Sequence, residues 1–424
     1  MKREDVCFYP ADIMLPCGLD MHRWSVVACD QYTSEPEYWA ETERIVADAP
    51  STLKMVLPEV YLEQGGIDER IEKINRTMEE YSNAGYFRTL PETFILVKRT
   101  LASGKTRLGI VGMVDLEQYD YNAGAGSMIR ATEGTVLSRL PPRVRVRRKA
   151  TLELPHIMLL IDDPERTVIE PVAEKSGLFK KEYDFELMQG GGWITGYSIP
   201  KEDAGLITDA LRRLGDEDNF RSRYGTDSGE VLLFASGDGN HSLATAKECW
   251  QEEKSRLPEE KWADSPKRYA LVELVNLHDS SLEFEAIHRV VFDVEPDRLI
   301  AELLKFYPTA RLDAGDGLSF EYISAGGSGR ITLEGVTDGL AVGALQDFLD
   351  FYIKEHGGRI DYIHGEDVTR KLGSQPGSIG FILPVMRKDE LFKAVITRGV
   401  LPRKTFSMGE ANEKRYYLEG RSLI

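Results

Sequence analysis

Cysteine is scarce in this chain. Its four residues, Cys7, Cys17, Cys29 and Cys249, are scattered without close pairing, which reads as reduced thiols and not as a disulfide frame or a zinc site. Histidine is also sparse, at seven, and no two show the spacing of a helical zinc motif. Positive charge is in the minority: 53 Lys and Arg against 70 Asp and Glu leave a formal net charge of −17. A surface of that sign disfavours nonspecific binding to DNA or anionic lipid. No apolar stretch reaches membrane-spanning length. The opening "MKREDVCFYPADIMLP" mixes both charge signs and lacks the apolar core of a signal peptide. The expectation is a cytoplasmic protein with a small-molecule partner and no membrane or nucleic-acid partner. No internal repeat or long low-complexity segment is visible.

What is present is an ordinary globular composition, 42% hydrophobic and 29% charged over 424 residues, enough for a large core and one to three domains. A helix is expected from about Ile67 to Ala84. "TFILVKRTLASGKTRLGIVGMVDL" reads as a hairpin around Ser103-Gly104. "PHIMLLIDDP", "EVLLFAS" and "RYALVELVN" read as buried strands, and "KEDAGLITDALRRLG" as an amphipathic helix stopped at Gly215. After Val291 come two amphipathic helices, a hairpin, a strand and a further helix. The pattern predicts a mixed α/β (α+β) sheet, with a core region over 1–292 and an α+β region over 293–424 that packs on it.

The most informative stretch is "VLLFASGDGNHSLATAKECW", Val231 to Trp250. An apolar strand runs through Gly237, Asp238, Gly239, Asn240, His241 and Ser242 into a helix expected from Ser242 to about Leu257. With "RYALVELVN" following, the order suggests a βαβ-like unit with this loop at the first strand's carboxyl end. Free backbone N–H groups at such a helix start, and its dipole, favour an anion. Glycine permits close approach. Asp238 can hold Mg²⁺ or accept a proton. His241 can donate to a phosphoryl oxygen or act as acid or base, and Ser242 can cap the helix or touch phosphate. An ordinary turn capped by Asn240 or Ser242 explains the same residues about as well. The stretch is neither a phosphate-loop nor a dinucleotide fingerprint.

Two further stretches stand out. "IRATEGTVLSRLPPRVRVRRKA" carries Arg130, Arg139, Arg143, Arg145, Arg147, Arg148 and Lys149 against Glu133 alone. Arginine forks match phosphate oxygens, and as a strand "RVRVRR" would put Arg143, Arg145 and Arg147 on one face. A solvated basic segment is the plainer alternative. In "MHRWSVVACDQYTSEPEYW", Ser34 to Glu37 signals a helix start with Ser34 as cap. That duty accounts for Glu35 and leaves Asp30 without one. His156 and His364 lie beside apolar runs and read as structural histidines.

The segment "ASGDGNHSLATA" resembles the D-G-H-H-R-Y-x-x-A motif of the family known as domain of unknown function 1015. "IRATEGTVLSRL" is similar to that family's H-E-x-T segment, which marks Glu133. "RYALVELVNLHDSSLEFEAIHRVV" is similar to its strand, acidic loop and final His-Arg, here His288 and Arg289. "LPRKTFSMG" is similar to its closing P-x-K-S-T-x-F, which marks Lys404. The four segments occur in order, over about residues 9 to 420. The motif also resembles the D-G-H-x-R of the ParB-like superfamily, which includes nucleotide-binding partitioning proteins, sulfiredoxins and free serine kinases. By that resemblance Asp238, Gly239 and His241 match, while Asn240 and Ser242 replace the usual histidine and arginine. The resemblance implies a ParB/sulfiredoxin-like core that binds nucleotide phosphate at the helix start. It further implies a catalytic carboxylate nearer the N-terminus, Asp30 or Glu35.

The expected activity is a nucleotide-dependent, kinase-like phosphotransferase. It would use ATP or ADP, with Mg²⁺ at Asp238, on a small hydroxyl-bearing metabolite such as serine. Asp238, His241, Asp30 and Glu35 are the candidate catalytic residues. Gly237, Gly239, Asn240, Ser242, Arg130, Glu133, Arg143, Arg145, His288, Arg289 and Lys404 are the candidate phosphate or nucleotide contacts. A nucleotide-binding regulatory protein without turnover and a metal-dependent phosphohydrolase are the alternatives.

Overall fold

The strand Tyr269–Asn276 is buried at every position, as its unbroken apolar run requires of a strand covered on both faces. It sits in the middle of an 11-stranded sheet in a computed structural model that describes residues 6–62, 65–122, 124–135, 140–226, 230–313, 315–335 and 340–424. Along that sheet run Tyr119–Asp120, Ile129–Ala131, Phe234–Asp238, Met158–Ile161, Tyr269–Asn276, Thr106–Asp115, Phe87–Thr100, Trp193–Ile199 and Lys180–Glu186. Phe8–Tyr9 and Ala11–Pro16 pair with two of these strands. The sheet mixes parallel and antiparallel pairs, and the expected hairpin forms antiparallel between Phe87–Thr100 and Thr106–Asp115.

The βαβ-like unit does not form as read. Met158–Ile161 lies between the two strands in question, antiparallel to Phe234–Asp238 and parallel to Tyr269–Asn276. The flanking strands therefore run in opposite directions. A strand from an earlier part of the chain has entered the sheet between them, and local pattern carries no record of such insertions.

The chain divides into two compact units, 1–282 with 410–424, and 283–409. The contact boundary thus falls before the strand Phe284–Phe292, and the last residues return to the first unit. That return is anchored by charge. Arg415 pairs with Glu273 and with Glu419 at 2.6 Å, and Arg421 with Glu153 at 2.7 Å, all of them buried. Buried ion pairs persist where each charge is compensated. The second unit holds a seven-stranded sheet in the order Ala310–Leu312, Gly327–Glu334, Gly317–Ser324, Ser378–Ile382, Phe284–Phe292 and Arg359–His364, with Phe406–Met408 added on Phe284–Phe292. Helices Pro296–Phe306 and Ala341–His356 share a core with that sheet through Leu299, Leu303, Leu345 and Phe348. Among the described residues no helix is long and apolar enough to cross a membrane.

Candidate active site

Phe234–Asp238 ends in a bulge, where its register against Met158–Ile161 shifts between Ser236 and Asp238. Gly239 then turns the chain with φ +77°. A Cβ at Gly239 would stand 2.9 Å from Ile157 Cα, so both conformation and space demand glycine. The helix Asn240–Lys254 starts there, and its N-cap is Gly239, with no side-chain cap bond. The capping role considered for Asn240 or Ser242 is thereby removed: both lie inside the first turn. Asp238 Oδ1 accepts from its neighbour Gly239 N at 2.9 Å. Asp238 Oδ2 and Asn240 Oδ1 are buried without a hydrogen-bond partner. The Lys414 ammonium faces Asp238 Oδ2 at 3.6 Å. His241 is half-buried, and its carbonyl accepts from Thr245 Oγ1 at 2.7 Å.

Three distant segments meet this helix start. His156, just before the strand Met158–Ile161, places Nε2 at 3.3 Å from Ser242 Oγ and 3.5 Å from Asp30 Oδ2. Its Nδ1 lies 2.7 Å from Tyr417 Oη, which also accepts from Cys29 N at 3.2 Å. Burial opposes charge on His156, yet Asp30 and then Asp238 raise it above the ordinary imidazole value. Burial likewise works against the Asp30 charge, but His156, with help from Gln31 and Lys414, holds its carboxyl well below the usual carboxylate range. Each partner thus favours the charged form of the other, against the cost of burial. Burial, then Asp30, pushes the Cys29 thiol up to about 12, so it is no nucleophile at neutral pH. Arg143 pairs with Glu59, and burial lowers it while Cys29, Asp30 and Tyr417 act the other way.

Beside these groups lies a cavity of about 140 Å³. Ser242, His156, Tyr417 and Arg143 line it together with aliphatic and methionine side chains.

The arginine segment is not a strand. Leu140–Arg148 is a helix, with Pro141 and Pro142 in its first turn, where a missing N–H costs nothing. On a helix the side chains four apart share a face, so Arg143 and Arg147 line the cavity with Val146. Arg145 points away, paired with exposed Asp68 at 2.7 Å, and Arg148 pairs with Glu252 at 2.6 Å. Arg130 is buried and spent on backbone, donating to Ser127 O and Glu230 O at 2.9 Å each. Glu133 is half-buried just beyond Thr132, whose hydroxyl donates to Ser236 O at 2.6 Å. Arg139 lies outside the described residues. Glu35, not Ser34, is the N-cap of the helix Pro36–Val46, and it is exposed.

His288, Arg289 and Lys404 belong to the second unit. His288 Nδ1 accepts from Leu383 N at 3.2 Å. Arg289 is fully buried and donates to Ile287 O and, at 3.2 Å, to Arg403 O. Lys404 is exposed at φ +58°. For His288 and Arg289 these contacts describe structural duties within that sheet.

A metal at Asp238 fits poorly. Its carboxylate already faces a backbone N–H and an ammonium, and among the described residues no group of three or more His, Cys, Asp or Glu is placed to hold a metal ion. Sequence reading took His156 for a structural histidine and did not single out Tyr417, Glu59 or Lys414. None sits in a local motif, and only their arrival at one helix start marks them.

No curated protein matches the chain. Among solved structures, a free serine kinase in complex with AMP is similar at 11% identity and TM-score 0.39, over 73% of this chain and 91% of that one. A conserved hypothetical protein from Pyrococcus furiosus is similar at 12% identity and TM-score 0.36, over 73% and 94%. SbnI from Staphylococcus aureus is similar at 8% identity and TM-score 0.38, over 70% and 82%. A family model matches residues 16–384, most of the chain, and the protein therefore belongs to the family described as "Protein of unknown function (DUF1015)".

Proposed function

We propose that this chain is a nucleotide-dependent phosphotransferase with a ParB/sulfiredoxin-like nucleotide-binding core, acting on a small hydroxyl-bearing metabolite. The observation that carries the reading is the meeting of Asp30, Arg143 and His156, from three separate segments, around the Gly239–Ser242 helix start. Phosphate oxygens take backbone N–H groups of the first turn, with His241, Ser242 and His156 as further donors. Preorganised donors of this kind stabilise the charge that grows on a transferring phosphoryl group. The acceptor hydroxyl oxygen bonds to the terminal phosphorus as the bond to the bridging oxygen breaks. The nucleoside diphosphate leaves with the electron pair, and the hydroxyl proton passes to Asp238, whose Oδ2 has no hydrogen-bond partner. Asp30 favours the charged form of His156 and is a positioning residue. No step is assigned to Mg²⁺ held by this chain.

The test is a thermal-shift series with ATP, ADP and AMP, with and without Mg²⁺, followed by assay of nucleotide turnover. A nucleotide that raises Tm and is consumed supports the reading. No shift with any nucleotide overturns it. A shift without turnover points to a nucleotide-responsive regulator.

A further inference from the structure

The cavity beside the helix start is lined by two unlike kinds of group. Met55, Leu57, Met78, Val146, Leu152 and Leu154, members of one apolar cluster, form a continuous part of its wall. The charged groups at its margin are already neutralised: Arg147 pairs with Glu153 at 2.6 Å, and Glu153 also accepts from Arg421 Nε and Leu271 N. Arg143 is matched by Glu59 and His156 by Asp30. Among the hydroxyls that line it, Ser242 Oγ and Tyr417 Oη both lie within hydrogen-bond reach of His156, while Thr245 Oγ1 donates to His241 O.

Resting on the phosphotransfer reading of that helix start, we infer that the acceptor is an alcohol carried on an aliphatic or single-ring apolar body, and not serine or another zwitterion. Its hydroxyl lies at Ser242, and its apolar body lies against Met55 and Met78. Two arguments support this. A cavity of roughly 150 Å³ with aliphatic walls takes up a benzene-sized molecule, and this one is about 140 Å³. An ammonium or carboxylate placed against Leu57 and Met78 would lose its water without gaining a counter-charge, a cost that burial of apolar surface avoids.

The test uses the full chain labelled with ¹³C at methionine methyls and titrated with benzyl alcohol, glycerol, serine and 1-naphthalenemethanol. Benzyl alcohol is expected to move the Met55 and Met78 signals, identified by Met→Leu substitution, at a Kd at least tenfold below those of glycerol and serine. Naphthalenemethanol, too large for the cavity, is expected to leave them in place. Val146→Phe, which fills the cavity, is expected to weaken benzyl alcohol binding at least tenfold. Should that variant fail to fold, the size series on the parent protein decides. Unmoved Met55 and Met78 signals, or equal response to serine, would overturn the inference. ATP is titrated separately. Benzyl alcohol binding without an ATP response removes phosphotransfer and leaves the pocket standing, and an ATP response without benzyl alcohol binding removes the apolar acceptor alone.

Discussion

The Asp30 carboxylate lies 3.5 Å from His156 Nε2, and Ser242 Oγ approaches the same nitrogen at 3.3 Å. One residue comes from a loop near the N-terminus, one from the entry to a central strand and one from the first turn of a helix. Asp30 thereby favours the charged form of His156 beside the start of that helix.

The charge pair sets a pH dependence. His156 titrates above its ordinary value in the folded chain. Its contribution to stability is therefore full below about 6.5, the unfolded imidazole value, and is lost as pH rises through the higher folded pKa. Asp30, shifted downward, contributes above about 3.9 and loses that contribution only as pH falls further. Asp30→Asn should remove the first effect, so urea midpoints for parent and variant should differ most between about pH 4 and 6.5 and converge in mild alkali. A gap that widens above neutrality would contradict the assignment.

Gly239→Ala should destabilise the fold by about 1–3 kcal/mol, because an alanine at φ +77° is strained and its Cβ would press on Ile157. Denaturant unfolding measures this. A loss under about 0.5 kcal/mol, typical of neutral surface changes, would mean that the turn relaxes freely.

His241→Ala and Asn240→Ala separate chemistry from capping. Neither side chain caps the helix, so neither variant should show the ~1 kcal/mol loss typical of a removed cap. His241→Ala is expected to fold normally and to bind ATP at least tenfold more weakly, and Asn240→Ala to fall less in affinity. Parent-like binding and turnover by His241→Ala would end the phosphate role of this loop.

Arg143→Ala and Arg145→Ala should part company. Arg145 and its partner Asp68 are both solvated, and exposed pairs contribute at most about 1 kcal/mol. Arg145→Ala should leave Tm and ATP affinity nearly unchanged. Arg143 is only 15% exposed and leaves Glu59 uncompensated when removed, so Arg143→Ala should lower both. Equal behaviour of the two variants, checked by melting and titration, would return the whole segment to the solvent.

Several features were legible without coordinates because their causes are local. The helix Ile67–Asn83, the hairpin of Phe87–Thr100 with Thr106–Asp115 and the helix stopped at Gly215 follow from periodicity and turn chemistry. So does the strand–glycine–helix order at Phe234–Lys254. The strand reading of Arg143 to Arg148 failed because alternation over so short a run fits either period, and two prolines opening a helix settled the choice. Sequence alone determined that a glycine-rich turn would present backbone N–H groups at a helix start. Only tertiary structure decided what stands before them. Sheet insertion of Met158–Ile161 carries His156 to the turn, the returning C-terminal segment brings Lys414 and Tyr417, and a loop supplies Asp30. These residues are far apart in the chain, and the order in which strands enter a sheet is set by the total burial of the core, a sum over the whole molecule that no local stretch of sequence carries.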